Sequence, residues 1–508
     1  MSATFPGAAG SRIGIVGDAP MTAGIAQVLA LAGFSVRLYS HARGISIENL
    51  DFARQMIARQ VKKERISADL GGRAIQAMQP ADKLEQLQDC AIVIESMLDD
   101  QKKTQSCIEQ LENTLGDHCI IALNTSSLPV TVLAGHARRP ERIVGLHFFD
   151  PVPLMPAVEV IRGLHTSSAT YDTVTRLVKK IGHHPIPTAD SPGFVVNLVG
   201  RALLTEGLRI RQERISTPQT IDAIVRASLG LRMGPFELLD MIGLDISAPN
   251  IERIYTAFQY EPRLQPTPEL ALRSAAGMFG RKSGKGYYQD CGQETDIRHD
   301  YSALPTVWID ATDPVRFERV HAHLKGTPAL LDPGKRPLPS SLCIVMPLGE
   351  DTSTFSTRTG LDPTRTVGVD AAFSLTAHAT LMAPPVIAPS MQQAALSVFA
   401  AAGPVSWIQD SPGFIAQRML AAVVNLASDA AQQEIAEPEH IDLAMRLASG
   451  YPQGPLEMGD RFGVGNIATV LGAIHETYAD PRYRCSPWLR RRAQLGISLL
   501  ASPPAFPS

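Results

Sequence analysis

Short apolar runs recur along the first 190 residues, each closing on a glycine or a polar residue. They are residues 12–17 (RIGIVG), 34–40 (FSVRLYS), 90–96 (CAIVIES), 119–124 (CIIALN), 143–147 and 158–162. Short, mainly apolar runs of this length predict buried strands. The stretches between them carry helical signals: a loop entering an apolar helix over 18–33, an exposed helix over 47–67 and another helix over 101–115. From Asp190 the pattern changes. Asp190-Ser191-Pro192-Gly193-Phe194 is a breaker, and helical runs follow to about Tyr288, with Met233-Gly234-Pro235-Phe236-Glu237 marking an interhelical turn.

Self-comparison decides the architecture of the second half. Asp410-Ser411-Pro412-Gly413-Phe414 repeats the breaker at Asp190, and Gly450-Tyr451-Pro452-Gln453-Gly454-Pro455-Leu456-Glu457 repeats the segment that begins at Gly230. The separation between these landmarks is the same in both copies, so a helical domain is duplicated. Upstream, Thr366-Val367-Gly368-Val369-Asp370 echoes Ile143-Val144-Gly145-Leu146-His147, with Asp370 in the histidine's place and no glycine turn before it. The stretch 290–404 is therefore expected to be a degenerate nucleotide-binding remnant or linker, and its proline-rich passages at 333–339 and 384–389 suggest linkers or edges.

Composition narrows the class. A chain of 508 residues predicts about three or four domains. Hydrophobic content of 44% and charged content of 19% describe a globular protein with ample core. A net charge of −3 gives no electrostatic reason to expect nucleic acid or an anionic membrane as partner. The six cysteines (Cys90, Cys107, Cys119, Cys291, Cys343, Cys485) form no C-x-x-C pair and are expected to be reduced thiols, with no metal site. Residues 1–10 lack the basic start and apolar run of a leader, and no uncharged run reaches the length of a spanning helix, so a cytoplasmic protein is expected.

Strand, glycine-containing turn, helix and strand over residues 12–40 form the opening of a dinucleotide-binding βαβ unit, in which backbone N–H groups at a helix N-terminus meet a pyrophosphate. Gly17 fills the first glycine position of the G-x-G-x-x-G signature, Ala19 stands at the second and Thr22 at the third. Asp18 adds a negative charge beside the expected phosphates, and Gly24 recovers part of the close helix–strand packing. The end of the second strand carries Ser40 where an acidic residue should take the adenosine ribose. Ser40-His41-Ala42-Arg43 suits a 2′-phosphate as well as Arg43 suits a solvated loop, so NADP stays open beside NAD. Lys62, Lys63 and Arg65 could meet the phosphates of a coenzyme A ester or form a solvated helix end.

These residues together resemble the 3-hydroxyacyl-CoA dehydrogenase family. The likeness runs through Asn124-Thr125-Ser126-Ser127, Gly145-Leu146-His147-Phe148-Phe149-Asp150-Pro151-Val152-Pro153-Leu154-Met155 and Val158-Glu159-Val160. It continues at Ser191-Pro192-Gly193-Phe194-Val195-Val196-Asn197 and Gly234-Pro235-Phe236-Glu237-Leu238-Leu239-Asp240, covering about residues 11–290. The second helical copy resembles the long bacterial form, similar to 3-hydroxybutyryl-CoA and 3-hydroxyadipyl-CoA dehydrogenases. The resemblance implies an α/β fold: a Rossmann-type NAD-binding domain followed by duplicated all-α helical domains of the 6-phosphogluconate-dehydrogenase C-terminal type. The expected division is 11–188 for the dinucleotide domain, 189–289 for the helical substrate and dimerisation domain, 290–404 for the remnant and 405–500 for the helical repeat.

The resemblance also implies roles. His147 matches the catalytic base, Glu159 the carboxylate that orients it, Ser126 the hydroxyl on the substrate oxygen, and Asn197 the amide that completes the site. Gly17, Ala19, Met21, Thr22, Ser40, Arg43, Glu95 and Asn124 are the expected cofactor-binding positions. The expected partner is an acyl-CoA substrate, and the expected assembly is a homodimer or a monomer with an internal pseudo-dimer. The implied reaction interconverts (3S)-3-hydroxyacyl-CoA and 3-oxoacyl-CoA in fatty-acid or phenylacetate-type degradation. An acyl-CoA-binding pseudoenzyme with impaired nicotinamide binding is the alternative; a Rossmann reductase of 2-keto acids leaves the helical motifs unexplained. Departures from the family pattern are Asp150 for Asn, Pro156-Ala157 for Lys-Leu, and Leu198 for the Arg after the amide, while Gln417 replaces that amide in the second copy.

Overall fold

The computed structural model describes residues 11–19, 21–42, 44–97, 100–288 and 304–502. Arg43 and Cys291 lie outside the described residues. The chain divides into two compact units, one holding the residues up to Leu198 with Gln433–Ser449, the other Val199–Gln432 with the chain from Gly450 onward.

The first unit is built on eight strands: β1 (Arg12–Val16), β2 (Ser35–Tyr39), β3 (Met78–Ala81), β4 (Ile92–Glu95), β5 (Ile120–Leu123), β6 (Ile143–Phe148), β7 (Ala157–Arg162) and β8 (His184–Ala189). Their order across the sheet is β3-β2-β1-β4-β5-β6-β7-β8, and among them only the β6–β7 pair is antiparallel. In β4, Ile92 and Ile94 enter one apolar core while Val93 enters another. That is why these strands read as continuous apolar runs: successive side chains face opposite sides of a sheet covered on both faces. One core takes in the helices Met21–Leu31, Ile45–Lys62 and Ser168–Lys180, and the other takes in Gln101–Thr114 and Val130–Ala134. The parallel order brings Gly17, Glu95, Asn124 and the end of β6 to the carboxyl edge of the sheet, where open α/β sheets bind ligands.

The sequence pattern missed both edges of this sheet. β3 contains Pro80, and β8 contains Pro185 and Pro187. Proline cannot donate to a ladder, so it reads as a breaker, yet an outermost strand tolerates it. The helix expected over 47–67 is two helices: Ile45–Lys62 ends at Lys63, and Ala68–Gln76 begins after Ser67, whose hydroxyl accepts Leu70 N–H at 3.2 Å.

Within the second unit, helices of both copies pack beside a smaller sheet of β9 (Val307–Ile309), β10 (Leu342–Val345), β11 (Thr366–Val369), β12 (Ala379–Met382) and β13 (Val405–Trp407). Its order is β13-β12-β11-β10-β9, with only β11–β12 antiparallel. The pairing of β10 to β13 reproduces that of β5 to β8. Leu331 pairs parallel with Val307 beyond the helix Pro314–Leu324, so this βαβ passage reproduces β1, its helix and β2. Among the described residues, the small sheet has no counterparts of β3 and β4. After β9 the chain reads Asp310-Ala311-Thr312-Asp313, with Asp313 capping Arg316 N–H at 2.9 Å, so no glycine turn follows this strand.

The two copies are related by reciprocal contacts. Ala189 N–H donates to Ile435 O at 2.7 Å, and Gln409 N–H donates to Ile215 O at 3.0 Å. Each residue of the first bond has its repeat equivalent in the second, with donor and acceptor copies exchanged. Asp190 accepts the N–H groups of Val130 and Thr131 at 2.8 and 2.6 Å, while Asp410 accepts those of Thr352 and Ser353 at 2.8 and 3.0 Å. The aspartate of each breaker thus caps a helix beside its own sheet.

Candidate active site

His147 and Glu159 face each other because β6 turns back on β7 in antiparallel register, with His147 opposite Glu159. Both are buried, and His147 Nδ1 lies 2.6 Å from Glu159 Oε2. The second carboxylate oxygen accepts Val195 N–H at 2.8 Å and Val196 N–H at 2.9 Å. A carboxylate has only lone pairs to offer, so Nδ1 carries the hydrogen and Nε2 is left as the basic nitrogen. Phe149 and Phe194 pack against the imidazole, with ring centroids 4.4 and 5.8 Å away.

The turn before the helix Val196–Gln212 is the hub of the site. Gly193 and Phe194 take positive φ values of 76° and 52°, a conformation that glycine adopts freely. This aims two successive N–H groups at Glu159 and then presents Asn197, whose Nδ2 donates to Ser126 O at 2.9 Å. Ser126, His147, Glu159 and Asn197 are therefore joined through β5, β6, β7 and one helix start. The backbone donors of Val195 and Val196 had no signal in the sequence, since any residue supplies an N–H; only the glycine of the breaker hinted at them.

Asn124 ties three strand ends together: its Nδ2 donates to Ser96 Oγ at 3.0 Å and its Oδ1 accepts Phe148 N–H at 3.0 Å. Glu95 is buried at the end of β4 and accepts Met97 N–H at 2.9 Å. Asp150 is exposed beyond β6, while Leu198, in the arginine's place, is buried. Lys62, Lys63 and Arg65 are exposed around the end of their helix.

The cofactor loop keeps the geometry that a dinucleotide demands. A Cβ on Gly17 would lie 2.0 Å from Ser96 O, so only glycine fits between the ends of β1 and β4. The helix that follows starts at Met21 with no acidic residue in its first turn, leaving its positive end for an anion. Thr22, at the third glycine position, is buried and turns its hydroxyl back to Ala19 O. A Cβ on Gly24 would sit 3.0 Å from Val152, which makes it the close-packing glycine of this helix. The residues present fit a dinucleotide.

The second copy lacks this chemistry position by position. Asp370 N–H donates to Thr380 O at 3.0 Å, which puts Asp370 and Thr380 in the register places of His147 and Glu159. Gln417 donates to Asp370 Oδ1 at 2.9 Å and accepts Gly349 N–H at 2.9 Å. Burial pushes the Asp370 carboxyl up to about 6, and the Gln417 hydrogen bond opposes that rise. Arg418 beside it is fully buried and bonds Glu206 and Glu213 at 2.8 Å each, with Tyr483 at 2.9 Å.

Among the described residues, no group of three or more His, Cys, Asp and Glu side chains could hold a metal ion. The five described cysteines are unpaired, and burial pushes the thiols of Cys107 and Cys119 up to about 12. No described helix is long and apolar enough to cross a membrane.

A parallel nucleotide-binding sheet, a strand-borne His–Glu pair and a glycine turn at the same edge define a dinucleotide-dependent oxidoreductase. Residues 12–191 match the 3-hydroxyacyl-CoA dehydrogenase NAD-binding domain, and residues 193–290 and 413–499 match the C-terminal domain of the same enzymes. The chain belongs to the 3-hydroxyacyl-CoA dehydrogenase family. It is 29% identical to 3-hydroxyadipyl-CoA dehydrogenase of Escherichia coli over 95% of this chain and 97% of that one. It is 34% identical to a probable 3-hydroxybutyryl-CoA dehydrogenase of Bacillus subtilis, over 54% of this chain and 96% of the relative. The solved structure of a 3-hydroxybutyryl-CoA dehydrogenase from Escherichia coli superposes with a TM-score of 0.84 at 28% identity, covering 96% of this chain and 98% of the other. That superposition takes in both helical copies of this chain.

Proposed function

We propose that this enzyme interconverts (3S)-3-hydroxyacyl-CoA and 3-oxoacyl-CoA, with His147 as the acid–base group. The observation that carries the reading is the His147–Glu159 pair at 2.6 Å, locked from behind by the Val195 and Val196 N–H groups. In the oxidative direction His147 Nε2 takes the hydroxyl proton, and Glu159 stabilises the imidazolium that results. Ser126 binds the substrate oxygen, and Asn197, held to Ser126 O, closes the site from the helix side. The nicotinamide, when bound, accepts the hydride. Gly17, Ala19, Met21 and Thr22 form its pyrophosphate turn, and NAD is the dinucleotide we assign. Asn124 positions the strand ends around it, and Glu95 borders the same edge.

The reciprocal Ala189–Ile435 and Gln409–Ile215 bonds support an internal pseudo-dimer, in which the second copy takes the place of a partner subunit. The loss of the dyad at Asp370 and Thr380 makes that copy structural. The names of the long relatives, a 3-hydroxyadipyl-CoA and a 3-hydroxybutyryl-CoA dehydrogenase, support short-chain or dicarboxylic acyl-CoA substrates, and we assign the reaction to fatty-acid or aromatic degradation in the cytoplasm.

The test is stereochemical. The purified enzyme, given NAD and either (3S)- or (3R)-3-hydroxybutyryl-CoA, is expected to produce NADH from the S isomer alone. Oxidation of neither isomer, with the CoA ester still bound, overturns the proposal.

A further inference from the structure

Ser40 directly follows β2, where dinucleotide-binding folds place the acid that holds the adenosine ribose. Its hydroxyl is already engaged: Ser40 Oγ accepts Ala42 N–H at 3.1 Å, and its one hydrogen has two acceptors in reach, Ala42 O at 2.9 Å and Oδ1 of Asp18, of which the charged carboxylate is the stronger. Asp18 follows Gly17 directly, is exposed, and forms an ion pair with no cation among the described residues. The hydrogen bond therefore holds a carboxylate at the end of β2 although β2 itself ends without one.

We propose that Asp18 supplies from the loop the ribose-binding carboxylate that the strand end lacks, and so selects NAD over NADP. This rests on the reading that the loop binds a nicotinamide dinucleotide. Ser40 holds the side chain through Oδ1, which leaves Oδ2 with both lone pairs to accept a ribose hydroxyl. A 2′-phosphate at the same place brings a charge of about −1.5 to −2 against that carboxylate, with no hydrogen to give it. The negative charge that looks adverse to a pyrophosphate in the sequence has a use once its hydrogen bond is seen. The same bond accounts for serine at position 40: it is short, and it donates.

The experiment measures dinucleotide binding without turnover. NADH and NADPH are titrated against the full chain, with nicotinamide fluorescence as readout, for the wild type, Asp18→Asn, and the double variant Asp18→Asn/Ser40→Asp. The wild type is expected to bind NADH about tenfold or more tighter than NADPH, the scale of one hydrogen bond to a charged group. Asp18→Asn weakens NADH and spares or improves NADPH, so the ratio falls towards one, and the double variant restores it. A wild-type preference for NADPH, or an Asp18→Asn ratio within about twofold of the wild type, overturns the assignment. So does loss of both dinucleotides in Asp18→Asn that the double variant does not recover. Failure of the wild type to bind either dinucleotide overturns the cofactor reading itself, and this inference with it.

Discussion

Replacing Glu159 with glutamine changes one atom and reverses the logic of the site. Oε1 accepts two backbone N–H groups, from Val195 and Val196 at 2.8 and 2.9 Å, so the amide oxygen of glutamine must stay on that side. The amide NH2 then faces His147 Nδ1, where the carboxylate oxygen was at 2.6 Å. A donor there forces Nδ1 to accept, the ring proton moves to Nε2, and the nitrogen proposed as the base becomes a donor. Restoring the working tautomer would leave two buried hydrogens facing each other, at a cost of about 2–3 kcal/mol. The imidazolium formed in the reaction also loses its charged partner, about 2–3 kcal/mol more. Together these lower kcat by about 10³–10⁴-fold. Because glutamine keeps both backbone bonds, Tm and the KM for acyl-CoA are expected to stay near wild type. The assay is NADH formation from (3S)-3-hydroxybutyryl-CoA, with kcat and KM resolved separately and Tm measured beside them. A Glu159→Gln enzyme within tenfold of wild-type kcat would refute the tautomer argument.

Two further outcomes concern the second copy. Burial raises the Asp370 carboxyl from its ordinary value to about 6, so the folded state binds a proton that the unfolded state releases until lower pH. Its contribution to stability is full below the unfolded value and is lost as pH rises through about 6. Asp370→Asn should therefore gain up to about 3 kcal/mol over wild type at pH 8 and little at pH 4, read from urea unfolding at both pH values, with kcat unchanged; a variant no more stable at pH 8 contradicts this. Arg418→Met strands the buried Glu206 carboxylate and should cost about 3–5 kcal/mol. Urea unfolding measures it, and a loss under about 1 kcal/mol would mean that the cluster is solvated like a surface pair.

The sequence made the central strands legible because they are mainly apolar, as strands covered on both faces are, with Glu95, His147 and Glu159 as the buried exceptions. It hid β3 and β8 because Pro80, Pro185 and Pro187 look like breakers, and only an edge position makes them acceptable. The duplication was readable from the breaker at Asp190 and Asp410; the reciprocity of the Ala189 and Gln409 bonds was not, since it lies in backbone atoms. β9 is three residues long, too short for periodicity to show, and Leu331 beside it is a single bridge. At the candidate site, side chains whose types carry chemistry could be proposed from the sequence: His147, Glu159, Ser126 and Asn197. What holds them could not, because Val195 and Val196 act through N–H groups and Asn124 through a tie between three strand ends. The hydrogen bond from Ser40 to Asp18 was equally invisible, as 22 residues separate them.

We propose His147 as the group that moves the proton in the dehydrogenase reaction. Acetoacetyl-CoA reduction by NADH, followed as loss of nicotinamide absorbance for wild type and His147→Ala, tests it most directly. The wild type is expected to turn over, and His147→Ala to lose at least about 10²–10⁴ of that rate, the usual contribution of a general acid–base group, while still binding NADH and the CoA ester. Turnover by His147→Ala at the wild-type rate would contradict the account.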